Sequence, residues 1–291
     1  MIEKKIFANA KKIDNFLKNY FKKQINTNLI TPMQYGTLNE GKKIRTSIIL
    51  NTGKIFNVPD KKLLNVCGAV ESIHSYSLIH DDLPCMDDDK IRRGKPSAHI
   101  KFGESTAVLA GNSLLTLAFE MIVEKKFPVD NKIKIELINK LAKCSGHSGI
   151  AGGQELDLSF EKKNKKLNQI IDMQKKKTGK LFNFCCLSVG IIAKKNNKIK
   201  NELSILGEEI GLLFQLADDF LDITGEKKIA GKPIKKDTKK GKSTLISLIG
   251  YEKANTFANK LKRNILNKLS KHGNKANDLI RTVEFILERN Y

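Results

Sequence analysis

An acidic segment at residues 78–93, LIHDDLPCMDDDKIRR, constrains this chain more than any other feature of its sequence. Five carboxylates fall within nine residues, and two arginines follow them: Asp81, Asp82, Asp87, Asp88, Asp89, Arg92 and Arg93. Because like charges this close repel one another, their clustering requires cations nearby. Carboxylate oxygens suit Mg2+, which usually joins protein carboxylates to substrate phosphates, and arginine forks bind phosphate oxygens. This first acidic segment therefore predicts a metal–phosphate site, against the alternative of a solvated acidic turn.

The first acidic segment is predicted to start where a helix ends. Residues 69–80 have a helical pattern, and Pro84 cannot continue it, because proline lacks the N–H that would bond back to His80. Asp81 and Asp82 then lie at the helix C-terminus, where the negative end of the helix dipole also favours a cation.

A second acidic segment, residues 211–225 with the sequence GLLFQLADDFLDITG, supports the metal interpretation. Asp218 and Asp222 are four residues apart and share a helix face, with Asp219 about 100° away. Aspartate is a poor helix former, and like charges at this spacing destabilise a helix. Three aspartates in an apolar helix therefore favour metal binding over an N-cap or a salt-bridged face.

The formal charge of +22 would suggest nucleic acid or an anionic membrane as a partner. However, only six of the 53 basic residues are arginine, and the lysines are scattered among many Asn and Ile residues. This distribution spreads positive charge over the surface without a binding role, so we expect no nucleic-acid partner. The five cysteines are odd in number and lack C-x-x-C spacing, so we expect neither a zinc site nor a disulfide framework, but reduced and mostly buried thiols in a cytoplasmic protein.

The pattern along the chain predicts one all-α domain covering residues 1–291. Residues 2–24 have an amphipathic helical spacing that favours a docked helix over one lying on a membrane, and residues 31–36 are predicted to break it. The long apolar region 106–123 contains polar residues and fits a buried helix better than a membrane span, and no signal peptide is expected. Further helices are predicted near residues 60–80, 131–147, 167–192, 201–224, 252–270 and 275–289.

Together the two acidic segments resemble the paired aspartate motifs of the trans-isoprenyl diphosphate synthases, the polyprenyl synthetase family. The pattern D-D-x4-D is present as Asp81-Asp82-x4-Asp87, and D-D-x-x-D as Asp218-Asp219-x-x-Asp222. Further matches extend over nearly the whole chain: Gly41-Lys42-Lys43-x-Arg45, Gly152-Gly153-Gln154 with Asp157, Lys177-Thr178 and Phe214-Gln215. The first motif has the two-residue expansion of the bacterial farnesyl diphosphate synthases, which the sequence resembles most.

The resemblance implies a single large helical bundle of the isoprenoid synthase type with a central active-site cavity. It implies three Mg2+ ions, with Mn2+ as the alternative, held by Asp81, Asp82, Asp87, Asp218 and Asp222. It places the allylic diphosphate at Arg92, Lys177, Lys232 and Lys242, and isopentenyl diphosphate at Lys42, Arg45, His74 and Arg93. Thr178 and Gln215 would present oxygens to the allylic cation. The residues expected to act in catalysis are Asp81, Asp87, Lys177, Thr178, Gln215 and Asp218.

The implied chemistry agrees with the residue types. Ionising an allylic diphosphate separates an anionic leaving group from a carbocation, so metals and cationic side chains must stabilise the first and non-nucleophilic dipoles the second. Some positions depart from the family pattern: Glu40, Lys43 and Thr46 replace a glycine, an arginine and a proline, Phe220 replaces an aliphatic residue, and Lys235 replaces a glycine. None of these departures removes a proposed metal ligand.

Product length is predicted to depend on Tyr76 and Ser77, which lie just before Asp81. At ~1.5 Å rise per residue, the Tyr76 ring lies roughly 7–8 Å from the metal cluster along the helix, where it can form a floor to the pocket. The resemblance implies that an aromatic residue here limits the product to fifteen carbons. The alternative is simple core packing.

Other functions remain open at this stage. Geranyl and geranylgeranyl diphosphate synthases share every motif, and a non-catalytic binding subunit of a heteromeric synthase is the alternative from a different class. A class I terpene cyclase usually has an N-S-E-type second motif, which Asp218-Asp219-x-x-Asp222 does not match. The family resemblance also implies a homodimer, to which the apolar 106–123 helix could contribute, and no stable membrane insertion.

Overall fold

The computed structural model describes residues 2–38, 41–161, 163, 165–230 and 244–288, with the side chains of 224–230 left out of the description. Within these residues the chain is almost entirely helical, and the all-α prediction is confirmed. The chain divides into two compact units, residues 1–138 with 191–193 and residues 139–190 with 194–291. The single-domain assignment stays a prediction, and each unit is described by itself below.

The first unit contains helices α1 to α6, a short hairpin and the start of α7. Their bounds are α1 Ile2–Phe21, α2 Ile30–Thr37, α3 Ile44–Ile55, α4 Leu64–Asp81, β1 Ile91–Arg92, β2 Lys95–Pro96, α5 Ala98–Phe102, α6 Glu104–Val123 and α7 Asn131–Ser145. The two strands pair antiparallel. Asp60–Lys62 forms a single 3-10 turn before α4.

Helix α4 is the core element of the first unit. Most of its residues are buried, and the unbroken buried run from Asn65 to Ile73 covers every side of the helix. A helix that is buried all round belongs to the core. Each fully buried Val or Ile side chain contributes about 1.5–3 kcal/mol relative to an exposed one. This packing fixes the helix whose last residue is Asp81, so it also fixes the start of the first acidic segment.

Helices α1 and α6 cover α4. The amphipathic α1 buries one face, including Ile6, Ile13 and Leu17, which confirms the docked-helix prediction. By length and composition α6 could cross a bilayer, but 44% of its most apolar window is buried inside the protein. Its buried residues, among them Leu114 and Met121, form a core face that packs on α4, which favours the core-helix interpretation.

The second unit contains the remaining helices. They are the end of α7, α8 Ile150–Phe160, α9 Leu167–Gln174, α10 Lys180–Ile192, α11 Asn197–Ala230, α12 Leu245–Ile249, α13 Tyr251–Ser270 and α14 Asn277–Glu288. A π-helical turn, Lys175–Gly179, joins α9 to α10. The predicted single helix at 167–192 is therefore interrupted. Helix α11 is 34 residues long and carries the second acidic segment.

Two further sequence predictions have clear outcomes. Residues 31–36 do not simply break the first helix. They form most of α2, with Pro32 in its first turn, where the missing N–H costs nothing. The five cysteines are free thiols, four of them buried and Cys85 exposed, in agreement with the core-thiol prediction.

Candidate active site

The first acidic segment begins where predicted, at the C-terminal end of α4. Asp81 is the last helical residue and Asp82 caps the helix. The loop then folds back, because the Asp87 backbone N–H donates to the Asp81 carbonyl over 2.9 Å and the Asp88 N–H donates to the Leu83 carbonyl over 3.1 Å. The first and third aspartates of the motif, Asp81 and Asp87, are therefore adjacent at the backbone although six residues separate them in sequence.

Asp82 and Arg92 form a partly buried ion pair. Asp82 is almost fully buried, and both of its carboxylate oxygens accept bonds from the Arg92 Nε, at 3.0 and 3.3 Å. The Arg92 Nη2 also donates to Asp82 and, at 3.5 Å, to Asp89. Burial raises the pKa of Asp82, and the Arg92 charge opposes that rise. The structure thus gives Asp82 an arginine partner, while its role as a metal ligand stays a prediction.

The two arginines lie on the hairpin that follows the acidic loop. Arg92 on β1 is opposite Lys95 on β2, so the turn consists of Arg93 and Gly94. Both turn residues have positive φ, 53° and 72°, as a type I′ turn requires. A long side chain in this conformation is strained, and such strain concentrates at functional sites.

Two of the predicted isopentenyl diphosphate residues, Arg45 and Arg93, lie near His74 in the first unit. Burial, followed by the charges of Arg45, Arg93 and Lys43, lowers the pKa of His74 well below 6.5. The imidazole is therefore neutral at neutral pH and has one N–H to donate. The Arg93 guanidinium lies so close to Gly41 that an added Cβ would be 2.6 Å from Nη1, so the segment 41–45 meets the hairpin.

The lowered pKa of His74 predicts a pH-dependent stability. The unfolded chain takes up this proton at about pH 6.5 and the folded chain only at lower pH, so the contribution is present above about pH 6.5 and is lost as pH falls. We expect the free energy of unfolding to decline as pH falls below about 6.5, and His74→Gln to remove part of this decline. The measurement is urea unfolding across this pH range, with His147→Gln, at an exposed position, as the matched control for the loss of one histidine side chain. An identical decline in both variants would contradict the assignment.

The second acidic segment presents its three aspartates differently. On α11, Asp218 is half-buried and Asp222 is exposed, whereas Asp219 is buried. Asp219 accepts bonds on both oxygens, from the Gln215 side-chain amide at 2.9 Å and from the Gln174 amide at 3.0 Å. Asp219 therefore positions polar neighbours, and the role of Asp218 and Asp222 as metal ligands stays a prediction.

The Gln215 amide is oriented by its two neighbours. Its NH2 group donates to Asp219, and its Oε1 accepts from the Thr178 hydroxyl at 2.8 Å. Because the Asp219 carboxylate can only accept hydrogen bonds, the end of the Gln215 amide that faces it must be the NH2 group, and the other end must be the oxygen. The structure thus brings together Thr178 and Gln215, the two residues predicted to present oxygens to a cation. The sequence did not predict the supporting roles of Asp219, which accepts from Gln215, and of Gln174, which donates to Asp219.

Lys177 and Thr178 lie in the π-helical turn, a feature that often marks functional sites. The Lys177 ammonium donates to Asp157 on α8 over 2.6 Å. Helix α8 can approach this turn because of Gly153, where an added Cβ would lie 2.1 Å from the Lys177 backbone N. Glu208 on α11 binds Lys180 just after the turn at 2.7 Å. These contacts hold the turn between two helices.

The Asp219 network leads to a kinetic prediction. In Asp219→Asn one acceptor oxygen becomes an NH2 group that faces another amide NH2, so Gln215 loses its fixed orientation. We expect kcat to fall roughly ten- to hundredfold, the value of one or two hydrogen bonds to a charged group. The Mg2+ concentration for half-maximal rate should not change. Gln174→Met, which removes one donor, should have a smaller effect. A raised Mg2+ requirement in Asp219→Asn would instead identify a metal ligand.

The described residues fit a metal ion that takes some of its ligands from the protein and the others from a substrate. Among them no group of three or more His, Cys, Asp or Glu residues converges on one point. Mg2+ in phosphate sites takes one or two carboxylates and completes its shell with phosphate and water oxygens, so the pairs Asp81–Asp87 and Asp218–Asp222 are sufficient donors. Lys232 and Lys242, predicted for the allylic diphosphate, lie outside the described residues.

Tyr76, the predicted pocket floor, is half-buried on α4. Burial, followed by the charge of Asp81, raises the pKa of the phenol, which places the ring near the first acidic segment. The ring meets that of His80 edge to face, with centroids 5.2 Å apart. His80 in turn packs on α6 at Gly111, where an added Cβ would be 2.2 Å from Nε2. The Ser77 hydroxyl bonds its own helix, to the His74 carbonyl at 2.9 Å.

Comparison with known proteins identifies the family of this chain. A family model described as polyprenyl synthetase matches residues 26–283. The chain is 40% identical to farnesyl diphosphate synthase of Escherichia coli (strain K12) over 272 residues, 91% of this chain and 90% of that one. The chain belongs to the polyprenyl synthetase family. The resemblance stated from the motifs is thereby confirmed.

Solved structures of polyprenyl synthetases have the same fold. The FPP/GFPP synthase from Zymomonas mobilis matches with a TM-score of 0.87 and 35% identity over 98% of both chains. A geranyltransferase from Helicobacter pylori, complexed with magnesium and isoprenyl diphosphate, matches with a TM-score of 0.82 and 29% identity, over 99% of this chain and 96% of that one. The isoprenoid synthase fold expected from the sequence is confirmed.

Proposed function

We propose that this polyprenyl synthetase is a Mg2+-dependent prenyltransferase that condenses isopentenyl diphosphate with dimethylallyl and geranyl diphosphate to give (2E,6E)-farnesyl diphosphate. One observation carries the proposal. The oriented Gln215 oxygen lies one helical turn before Asp218, with the Thr178 hydroxyl bonded to it. Residues three apart share a helix face, so the Gln215 oxygen lies beside the Asp218 carboxylate. The oxygen can stabilise a carbocation, and the carboxylate can bind the metal of the leaving diphosphate. Allylic ionisation needs both.

Each group has a separate task in this chemistry. Bound Mg2+ would neutralise the diphosphate as the allylic C–O bond breaks. Asp81, Asp87, Asp218 and Asp222 are proposed to hold it, and Arg92 and Lys177 to add charge-assisted bonds to the same diphosphate. The partners of these two cations, Asp82 and Asp157, keep them fixed in place before the substrate arrives. Preorganised charges of this kind need no rearrangement during the reaction.

The second substrate is assigned to the residues around His74. Lys42, Arg45 and Arg93 would bind the diphosphate of isopentenyl diphosphate, and neutral His74 would donate one more hydrogen bond. After the new C–C bond forms, a proton must leave the product cation. We assign its removal to the departing diphosphate, so the proposal requires no protein base.

We also propose a cytoplasmic homodimer with three Mg2+ ions per site, in which Mn2+ can replace Mg2+. The exposed face of α6 carries Val108, Leu109 and Val123, and no charged residue lies between Glu104 and Glu120. An apolar face of this extent is typical of a protein interface. Helix α6 is also bound at its C-terminal end by the Lys134 ammonium, which donates to the Glu124 carbonyl at 2.7 Å.

The dimer proposal gives a direct prediction. Leu109 is 52% exposed, so Leu109→Lys should fold normally, yet it places charge in the proposed interface. Sedimentation equilibrium should show a dimer for the wild type and a shift toward monomer for Leu109→Lys. Ile25→Lys, at an exposed apolar position before α2, is the matched control and should remain dimeric. A monomeric wild type would contradict the proposed interface.

A binding-only subunit of a heteromeric synthase is the competing function. It predicts substrate binding without turnover, whereas the complete acidic segments favour a catalyst. The test is diphosphate release by the purified chain with geranyl and isopentenyl diphosphates. We expect release that requires both substrates and stops on chelation of Mg2+. Binding of both substrates without release would overturn the enzyme proposal in favour of the subunit.

A further inference from the structure

A buried carboxylate, Glu71, lies beneath the residues assigned to isopentenyl diphosphate. Glu71 is on α4, one helical turn before His74, and is only 2% exposed. A buried carboxylate is stable only when it is paired and hydrogen-bonded. The partners of Glu71 among the described residues come from the start of α3 and the residue before it, which is the segment that carries Lys42 and Arg45.

Thr46 hydrogen-bonds one oxygen of Glu71, and Lys43 forms an ion pair with the other. The Thr46 backbone N–H and hydroxyl donate to Oε1 over 3.3 and 2.8 Å. The Lys43 ammonium lies 3.7 Å from Oε2. Thr46 and Lys43 are two of the positions at which the sequence departs from the family pattern, where a proline would lack the N–H. Both departures thus contact the same carboxylate.

Lys43 is held in a conformation that few lysines adopt. Its side chain is 4% exposed, its ammonium donates to the Thr37 carbonyl over 2.5 Å, and the Asp14 carboxylate is 4.0 Å away. Its backbone has φ of 45°, which a non-glycine residue occupies only when surrounding contacts impose it. Glu71 and the Thr37 carbonyl provide those contacts. Lys43 therefore serves as an internal anchor, and its neighbours Lys42 and Arg45 are fixed in position with it.

We propose that Glu71 is a positioning residue for the isopentenyl diphosphate site, which it organises by fixing the segment 41–46 to α4 through Lys43 and Thr46. It does not touch substrate. It sets the placement of Lys42 and Arg45 relative to His74, which lies on the same helix. This inference rests on the function proposed above, and it names a group outside the predicted substrate contacts.

Steady-state kinetics with separate variation of the two substrates tests the proposal. Glu71→Gln keeps the side-chain volume and an acceptor for Thr46 but removes the nearer of the two carboxylates beside the buried Lys43 ammonium. We expect KM for isopentenyl diphosphate to rise about tenfold or more, with KM for geranyl diphosphate and kcat within about threefold of wild type. Equal changes in both KM values, or no change, in a folded variant would overturn the proposal.

Three further variants separate positioning from folding. Lys43→Met combined with Glu71→Gln removes both charges, and removal of a whole buried pair is tolerated far better than loss of one partner. This double variant should melt close to wild type and still show the raised KM for isopentenyl diphosphate. Thr46→Val, which lacks the hydroxyl, should show a smaller rise, and Thr46→Ser should restore the wild-type value. A wild-type KM in a well-folded double variant would refute the positioning role.

Calorimetry with isopentenyl diphosphate distinguishes this inference from the proposed function. If the wild type binds isopentenyl diphosphate and the variants bind it about tenfold more weakly, the positioning role is supported, whether or not turnover is observed. Wild-type protein that turns over, with variants that bind equally well, refutes only the role of Glu71. Wild-type protein that neither binds isopentenyl diphosphate nor turns over would overturn both proposals.

Discussion

Asp81→Asn is expected to slow prenyl transfer by about 10³-fold, on the order of 4 kcal/mol of transition-state stabilisation. Asn keeps the shape of the side chain but removes the charge that would bind Mg2+ at the end of α4. The Asp81 backbone carbonyl still accepts from the Asp87 N–H, so the loop should keep its fold. The loss should therefore be chemical rather than structural. It is measured as kcat/KM at saturating Mg2+, together with the Mg2+ concentration that gives half-maximal rate.

The same loop provides the matched control. Asp88 is an exposed aspartate of the same cluster with φ of 48°, a conformation that Asn adopts more readily than most residues. Asp88→Asn removes the same charge from the same loop and should retain activity within a few-fold. Equal losses in the two variants would mean that net charge, and not ligation by Asp81, supports the reaction.

Tyr76→Ala is expected to change the product rather than the rate. The ring is half-buried, its pKa is raised by burial and by Asp81, and it is stacked edge to face on His80. Removal of the ring opens space about one and a half helical turns from Asp81, at ~1.5 Å per residue. Products of twenty carbons or more should then replace farnesyl diphosphate. The measurement is chromatographic separation of radiolabelled products by chain length.

Two variants control for this result. Tyr76→Phe keeps the ring and should still stop at fifteen carbons. Ser77→Ala should have less effect than Tyr76→Ala, because the Ser77 hydroxyl is bonded to the carbonyl of His74 in its own helix. If Tyr76→Ala still makes only fifteen-carbon product, Tyr76 is a core residue and the floor lies elsewhere.

The helices and the two acidic segments could be predicted because their causes are local. Pro84 ends α4 by removing a donor, and the spacing of Asp218 and Asp222 follows from 3.6 residues per turn. The supporting residues could not be predicted, because their partners are distant in sequence. Gln174 meets Asp219 across 45 residues and Thr46 meets Glu71 across 25. The hydrophobic periodicity of a sequence does not indicate such long-range contacts.

The π-helical turn at 175–179 shows the same limit in the backbone. Its sequence, KKKTG, has no proline and only a final glycine, so the pattern favoured a continuous helix over 167–192. The turn is held by tertiary contacts, the Lys177–Asp157 and Lys180–Glu208 pairs on two other helices. The sequence offered Gly153 only as part of a motif match, and the structure shows that its close neighbour is the backbone of this turn.

One product assay tests the central claim most directly. Purified protein is incubated with Mg2+, isopentenyl diphosphate and either dimethylallyl or geranyl diphosphate, and the products are resolved by chain length. The account predicts mainly fifteen-carbon product from both starters, abolished by a chelator. Longer or shorter products would preserve the mechanism and refute the assignment of Tyr76 as the floor. Absence of any prenyl product from folded, metal-supplied protein would contradict the claim that this chain is a prenyltransferase on its own.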